Sequence, residues 1–371
     1  LNLIIFMKRK INNLLVAASG TGGHIFPALS LIDDLYDDWN ISWLGVKNRC
    51  ENNLVPRQYN LLTLNIDSPR GKNIFLIKNY IKVLLATFKV LKIINRKEIK
   101  LVFTTGGYIS APSILAAKIS NIPVIIHESN LIPGLVTKIF GRYCDFVLTG
   151  FEDTKFHLKG CKTVFTGTPL RNQFYIVNQM PRWLPDGDGP LIIIMGGSQG
   201  AKVINDIIYN LLDFFIKNNF RLVHIVGNSL DSKFKDKQNK NYVPITFTNE
   251  IAALMQNCDL VISRSGSGSI NEIIKTKTPS ILIPYPYAKN NHQEKNALIL
   301  SSIGSSIMIR QNQNLEINLK KSIKRIFKIK SKEKNNRYEI LDLMKENLKQ
   351  LNFKDPRLEI QKIINSYRKD F

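Results

Sequence analysis

The feature that most constrains this chain is a rhythm. Short β-branched runs recur, each followed by a glycine-bearing loop and then a helical pattern. In the first half they are "LLVAA" (14–18), "ISWLG" (41–45), "LVFTT" (101–105), "VIIHE" (124–128) and "FVLTG" (146–150). In the second half they are "LIIIM" (191–195), "RLVHIV" (221–226), "LVIS" (260–263) and "SILIP" (280–284). Continuous apolar strands alternating with helices are the pattern of parallel sheets covered on both faces. Pro27, Pro112 and Pro133 stand where helices are expected to begin, since a first-turn proline has no intrahelical hydrogen bond to lose.

At 371 residues the chain is long for one core, and two domains are expected. "PRWLPDGDGP" (181–190) interrupts the rhythm and reads as an interdomain linker or a long surface loop. Each half opens with a strand and a glycine-rich turn, "GTGGH" (20–24) and "GGSQGA" (196–201). The expected architecture is α/β: two doubly wound, Rossmann-like parallel-sheet domains facing across a cleft that holds the ligand. The expected domains are 8–170 and 171–349, with a last helix in 350–371 packing back on the first.

Composition narrows the class. With 44% hydrophobic and 22% charged residues the chain reads as a soluble globular protein. No apolar run reaches the roughly 20 residues of a spanning helix. "LNLIIF" is too short for a secretory signal, and Met7 is a candidate start that leaves 1–6 as a disordered prefix. Cys50, Cys144, Cys161 and Cys258 show no CxxC spacing, and the histidines form no HExxH pattern. These spacings argue against a disulfide framework or a structural metal, and for a reducing cytoplasm. The formal net charge of +23 favours anionic partners (nucleic acid, lipid headgroups or phosphorylated substrates) unless it is only a solvated basic surface.

Four loops carry the chemistry: "GTGGH" (20–24), "TGGYIS" (105–110), "GGSQGA" (196–201) and "RSGSGS" (264–269). After a parallel strand, free backbone N–H groups and the next helix's dipole make an anion site, and glycines let a phosphate approach. None is a P-loop or a dinucleotide fingerprint. His24 closes the first loop; a lone His is most often a cap or a core residue, but here a neutral imidazole could accept a proton. "HESN" (127–130) turns Glu128 and Asn130 to the same rim, although Asn130 alone reads first as a cap. Ser269 to Glu272 matches a capping box, which would explain the Glu without function; the alternative is that Glu272 takes both hydroxyls of a ribose. Asp186-x-Asp188 resembles a metal-binding pair but lies in a Pro/Gly turn and is discounted.

Together "SGTGGHIFPAL", "TTGGYISAP", "HESN…PG", "GTPLR", "GGSQGA", "RSGSGSINE" and "NNHQEKNA" have the order and spacing of the MurG family, from about residue 12 to beyond 300. The resemblance implies the two-domain GT-B fold and transfer of N-acetylglucosamine (GlcNAc) from UDP-GlcNAc to lipid I, undecaprenyl-diphosphate-MurNAc-pentapeptide, forming lipid II. It implies that Thr21, Gly22, Gly23 and Asn130 approach the sugar from the N-terminal half. Arg171 and Ser198 would sit at the diphosphate, and the backbone near Thr248 would read uracil. Ser267, Gly268 and Ser269 would cradle the nucleotide, Glu272 would hold ribose, and Gln293 would bind sugar hydroxyls. Gly20, Gly22, Gly23, Gly106, Gly107 and Tyr108 would hold the acceptor diphosphate. His292 stands where some members carry a first glutamine, and "GSGS" replaces a bulkier segment.

An α-linked donor and a β-linked product call for one inverting displacement. His24 is the expected base and Glu128 the reserve, with no metal or cofactor required. "SPRGKNIFLIKNYIKVLLATFKVLKIINRK" (68–97), rich in Lys and large apolar residues, reads as a helix against an anionic membrane, as a core helix, or as both. Attachment at the cytoplasmic side of the inner membrane, and partners among cell-wall synthesis proteins rather than nucleic acid, are implied. The rivals are a GT-B lipid galactosyltransferase using UDP-galactose and diacylglycerol, a hydrolysing UDP-GlcNAc epimerase, and a non-enzymatic basic scaffold.

Overall fold

The computed structural model describes residues 12–20, 22–33, 35–49, 51–66, 74–197, 200–227, 232–329, 338–351 and 354–368, with only the backbone at 74–80 and 232. Residues 1–6, Met7, Cys50, the segment 68–73, Thr21 and Ser198 therefore lie outside the described residues.

The chain forms two compact units. The first comprises Leu1–Ser129, Pro133–Pro169 and Lys354–Phe371. It runs β1 (Asn12–Ala17), α1 (Gly22–Ile32), β2 (Trp39–Val46), α2 (Glu51–Leu54), β3 (Asn60–Leu64), α3 (Ile74–Arg96), β4 (Ile99–Thr104), α4 (Ser110–Ile119), β5 (Val124–Glu128), α5 (Leu135–Phe140), β6 (Phe146–Thr149) and β7 (Thr163–Phe165). Its seven strands are ordered β3-β2-β1-β4-β5-β6-β7, and every pairing is parallel. The second unit comprises Asn130–Ile132 and Leu170–Phe353. It runs β8 (Leu191–Met195), α6 (Lys202–Lys217), β9 (Arg221–Ile225), α7 (Ser232–Lys235), β10 (Tyr242–Ile245), α8 (Ile251–Asn257), β11 (Leu260–Ser263), α9 (Ser267–Thr276), β12 (Ser280–Leu282), α10 (His292–Ser302), β13 (Ser306–Met308), α11 (Leu315–Ile326) and α12 (Glu339–Lys349). Its six strands are ordered β10-β9-β8-β11-β12-β13, again all parallel.

In each sheet the order reverses beside the first strand, β1 or β8, which is the doubly wound pattern. β5 and β8 are buried at every position, as strands covered on both faces must be. The last helix, α13 (Pro356–Asn365), belongs to the first unit. Its Ile360 and Ile364 are fully buried beside Trp39 and Trp43, each worth about 1.5–3 kcal/mol. The Trp39 indole donates to Asn365 Oδ1 at 2.8 Å, and Arg368 pairs with Asp38 at 2.6 Å.

Two expectations need correction. The 181–190 segment is not a linker, because the chain has already passed into the second unit at Leu170. It is the surface-loop alternative, held by Arg221 Nε donating to the Gly189 carbonyl at 2.7 Å, with Asp186 and Asp188 exposed. Pro27 does not open a helix: α1 already begins at Gly22, so Pro27 lies inside it. Pro112 does stand in the first turn of α4, whereas Pro133 precedes α5.

Two buried imidazoles set a pH limit on the fold. The His127 Nε2–H donates to the Gly167 carbonyl at 2.9 Å, and His224 lies between Tyr242 Oη at 3.0 Å and Asn205 Oδ1 at 3.1 Å. Burial pushes both down, His224 to about 3. The unfolded chain takes up protons at these positions below about pH 6.5, where the native state does not. Stability is therefore expected to fall as pH drops below that value, read as a decreasing Tm in melts from about pH 7 to pH 4.

Candidate functional site

In the first unit, the glycine turns after β1 and β4 meet around one imidazole. His24 is in the first turn of α1, and its Nδ1 lies 2.7 Å from the Thr105 carbonyl. The Thr105 hydroxyl in turn donates to the His24 carbonyl at 2.8 Å. A carbonyl can only accept, so Nδ1 carries the proton and the lone pair is left on Nε2. Among the described residues no protein group bonds Nε2. Gly106 and Gly107 have φ of 90° and 78°, and a Cβ there would come within 3.4 Å of the His24 ring Cε1 and 3.9 Å of Nε2. A side chain at either position would be strained and would crowd the ring. Gly20, Gly22 and Gly23 share this corner, and Tyr108 beside it is half-buried. With glycine at its first two positions, the start of α1 lets an anion approach the helix N-terminus at this corner.

Glu128 has different duties. Its Oε2 accepts from the Gly134 N–H at 2.9 Å and the Thr137 hydroxyl at 2.8 Å, so the carboxylate holds the start of α5. His127, next to it, is locked by Gly167 and receives the Ser129 hydroxyl at 3.3 Å. Asn130 groups with the second unit rather than the first. Fully buried Asn296 binds it there: its Nδ2 reaches Asn130 Oδ1 at 3.3 Å and the Ser265 carbonyl at 3.2 Å, while its Oδ1 receives the Leu131 N–H at 3.2 Å.

In the second unit, the turn between β8 and α6 is shaped by glycines. Gly200 has φ of 76°, and a Cβ there would sit 2.6 Å from the Val226 carbonyl. α6 and α9 both begin at N-cap residues, Ala201 and Gly266, that make no side-chain cap to the helix's first N–H groups. A Cβ at Gly266 or Gly268 would meet nothing within 4 Å, so the α9 turn faces open space. The capping-box reading of Ser269 and Glu272 is wrong: the N-cap is Gly266, Ser267 and Ser269 lie inside α9, and Glu272 is in its second turn. Glu272 instead pairs with Arg171 at 3.2 Å, with side chains 16% and 24% exposed. Burial pushes the Glu272 carboxyl up, and Arg171 opposes the shift.

Gln293, at the start of α10, accepts the Tyr285 N–H on Oε1 at 3.0 Å, which leaves its amide hydrogens to donate. Its carbonyl receives the Ser265 hydroxyl at 2.8 Å. Left-handed Asn290 and Asn291 (φ 54° and 53°) set the entry to that helix. Thr248 Oγ1 accepts from the Glu250 N–H at 2.9 Å at the approach to α8. Sequence reasoning missed two organisers, Asn296 and Arg264. The buried Arg264 guanidinium donates to the Ile283 and Pro284 carbonyls (3.0 and 3.2 Å) and to Gln311 Oε1 (2.7 Å). Both stood inside quoted motifs, where their buried polar character was the available signal. Among the described residues no group of three or more His, Cys, Asp or Glu is arranged to hold a metal.

Two doubly wound units with glycine turns at helix N-termini make up the GT-B architecture. Residues 14–149 match the glycosyltransferase family 28 N-terminal domain and 191–351 its C-terminal domain. A UDP-N-acetylglucosamine–N-acetylmuramyl-(pentapeptide) pyrophosphoryl-undecaprenol N-acetylglucosamine transferase from Prochlorococcus marinus subsp. pastoris is 59% identical over 98% of this chain and 100% of its own. The same-named protein of Prochlorococcus marinus strain MIT 9312 is 60% identical over 98% of this chain and 99% of its own. The crystal structure of Acinetobacter baumannii MurG shares the fold, with TM-score 0.75 and 23% identity over 96% of this chain and 99% of that one. The chain belongs to glycosyltransferase family 28 and, within it, to the MurG family.

Proposed function

We propose that the protein moves GlcNAc from UDP-GlcNAc to the 4-hydroxyl of MurNAc in lipid I, with inversion, giving the disaccharide lipid for peptidoglycan, cell shape and division. The observation that carries this reading is the 59% identity, over 98% of the chain, to a transferase named for that donor and acceptor. His24 Nε2 takes the hydroxyl proton as the oxygen forms its bond to the anomeric carbon. The Thr105 carbonyl, already bonded to Nδ1–H, stabilises the resulting imidazolium. The bond from the anomeric carbon to the β-phosphate oxygen breaks, and the electron pair leaves with UDP. Arg171 and the amides at the starts of α6 and α9 stabilise that charge, so no metal or cofactor is invoked. Glu272 takes the ribose and Gln293 donates to the sugar. His24 is preferred to Glu128 as base because the Glu128 Oε2 already anchors α5. Radiolabelled UDP-GlcNAc with lipid I is expected to give labelled lipid II, whereas UDP-galactose with diacylglycerol gives no product. The reverse preference would refute the reading.

The acceptor is a lipid, and α3 suits it. Ile81, Leu84, Leu85 and Phe88 form a stripe at helical spacing, 51–63% exposed, with Lys82, Lys89 and Lys92 exposed beside it. Val90 and Ile94 bury the opposite face in the first unit's core, so α3 serves core and surface at once. Among the described residues no helix is long and apolar enough to cross a membrane. The proposed location is peripheral, on the cytoplasmic face of the inner membrane. Phe88→Glu is expected to weaken binding to anionic vesicles by about 10-fold or more, since it removes about 1.5–3 kcal/mol of apolar burial. Unchanged cosedimentation would place the contact elsewhere.

A further inference from the structure

The second sheet ends at β13, and among the described residues no strand pairs with its outer side. In a parallel ladder, successive residues turn their N–H and C=O alternately to either side. The Ile309 N–H goes inward to the Leu282 carbonyl at 2.8 Å, so Met308 offers its N–H and C=O outward. A cavity of about 430 Å³ opens along this edge, lined by Met308 and its neighbours, by Arg310, and by the α11 face carrying Asn318, Lys321 and Arg325. The other face of α11 (Leu315, Leu319, Ile323 and Ile326) is buried, so the polar row is fixed toward the edge. Among the described residues no carboxylate lines the cavity. Arg310 is held by Glu294 at 2.7 Å, whereas Lys321 and Arg325 have no ion pair among the described residues.

We propose that this trough binds an extended acidic segment of a partner protein, added as an outer strand on β13 with carboxylates against Lys321 and Arg325. The spacing favours an extended chain over a compact anion. Lys321 and Arg325 are one helical turn apart, about 6 Å along the axis. Alternate side chains on one face of a strand repeat at about 6.6–6.8 Å. A segment with acidic residues at every second position therefore meets both cations while its backbone completes the open ladder. β13 is the opposite edge from β10, which leads to Thr248, so this surface is separate from the uracil position.

The test is fluorescence anisotropy on the full chain with a labelled peptide alternating Glu and Val, beside a control alternating Lys and Val. The Glu peptide alone is expected to bind. Lys321→Glu combined with Arg325→Glu is expected to weaken it at least about ten-fold with UDP-GlcNAc affinity unchanged. Met308→Pro, which removes an outward N–H and leaves the inward ladder intact, is expected to weaken it similarly, whereas Met308→Ala, which keeps that N–H, is expected to weaken it less. If Met308→Pro also loses UDP-GlcNAc binding, the charge-reversal pair decides. No binding to the wild-type chain, equal binding of the Lys peptide, or displacement by inorganic pyrophosphate with Met308→Pro indifferent would each overturn the proposal.

Discussion

Replacing His24 by Ala lowers kcat by about 10²–10⁴-fold, the range ascribed to a positioned general base, while UDP-GlcNAc binds as tightly as before. The split follows from geometry. His24 lies in the first unit, and among the described residues its side-chain partner is Thr105, whereas the groups proposed for the nucleotide lie in the second. His24→Gln is expected to be nearly as slow, because an amide has no basic lone pair. Steady-state kinetics on lipid I, with donor affinity from calorimetry, separates the outcomes. Near-normal turnover in His24→Ala would remove His24 as base, and a loss confined to donor affinity would make it a binding residue.

Glu272→Gln is expected to raise KM for UDP-GlcNAc by about 10- to 100-fold, the value of one charge-assisted hydrogen bond at a shielded site. The substitution keeps the shape and removes the charge, leaving Arg171 without the carboxylate it holds at 3.2 Å. The wild type should show the same weakness on acidification. Burial raises the Glu272 carboxyl, so donor affinity is expected to fall as pH is lowered through a range above the ordinary carboxylate value. That pH dependence should be absent in Glu272→Gln. An unchanged KM in the variant would show that the ribose is held by another group.

The fold was legible where burial was two-sided. The interior strands β1, β2, β4, β5, β6, β8, β9, β11 and β12 each correspond to an apolar run read from the sequence. The strands without such a run are β3, β7, β10 and β13, the four outer strands of the two sheets. An edge strand needs less apolar surface, and β3 is exposed or half-buried at every position but its last, so the continuous-run signal fails there. The glycine turns were legible because positive φ and close backbone approach leave few alternatives, as at Gly107 and Gly200. Side-chain pairing across long separations was not. Arg171 with Glu272, and Asn296 with Asn130, are set by tertiary packing that local spacing does not encode. The capping-box reading failed for a related reason: spacing showed a Ser and a Glu three apart, but not that the helix starts at Gly266.

A crystal soaked with UDP-GlcNAc tests the central claim most directly. The ribose hydroxyls are expected within about 3 Å of the Glu272 carboxylate, with the pyrophosphate over the turn between β8 and α6. A nucleotide bound with its ribose and phosphates away from both would contradict the account.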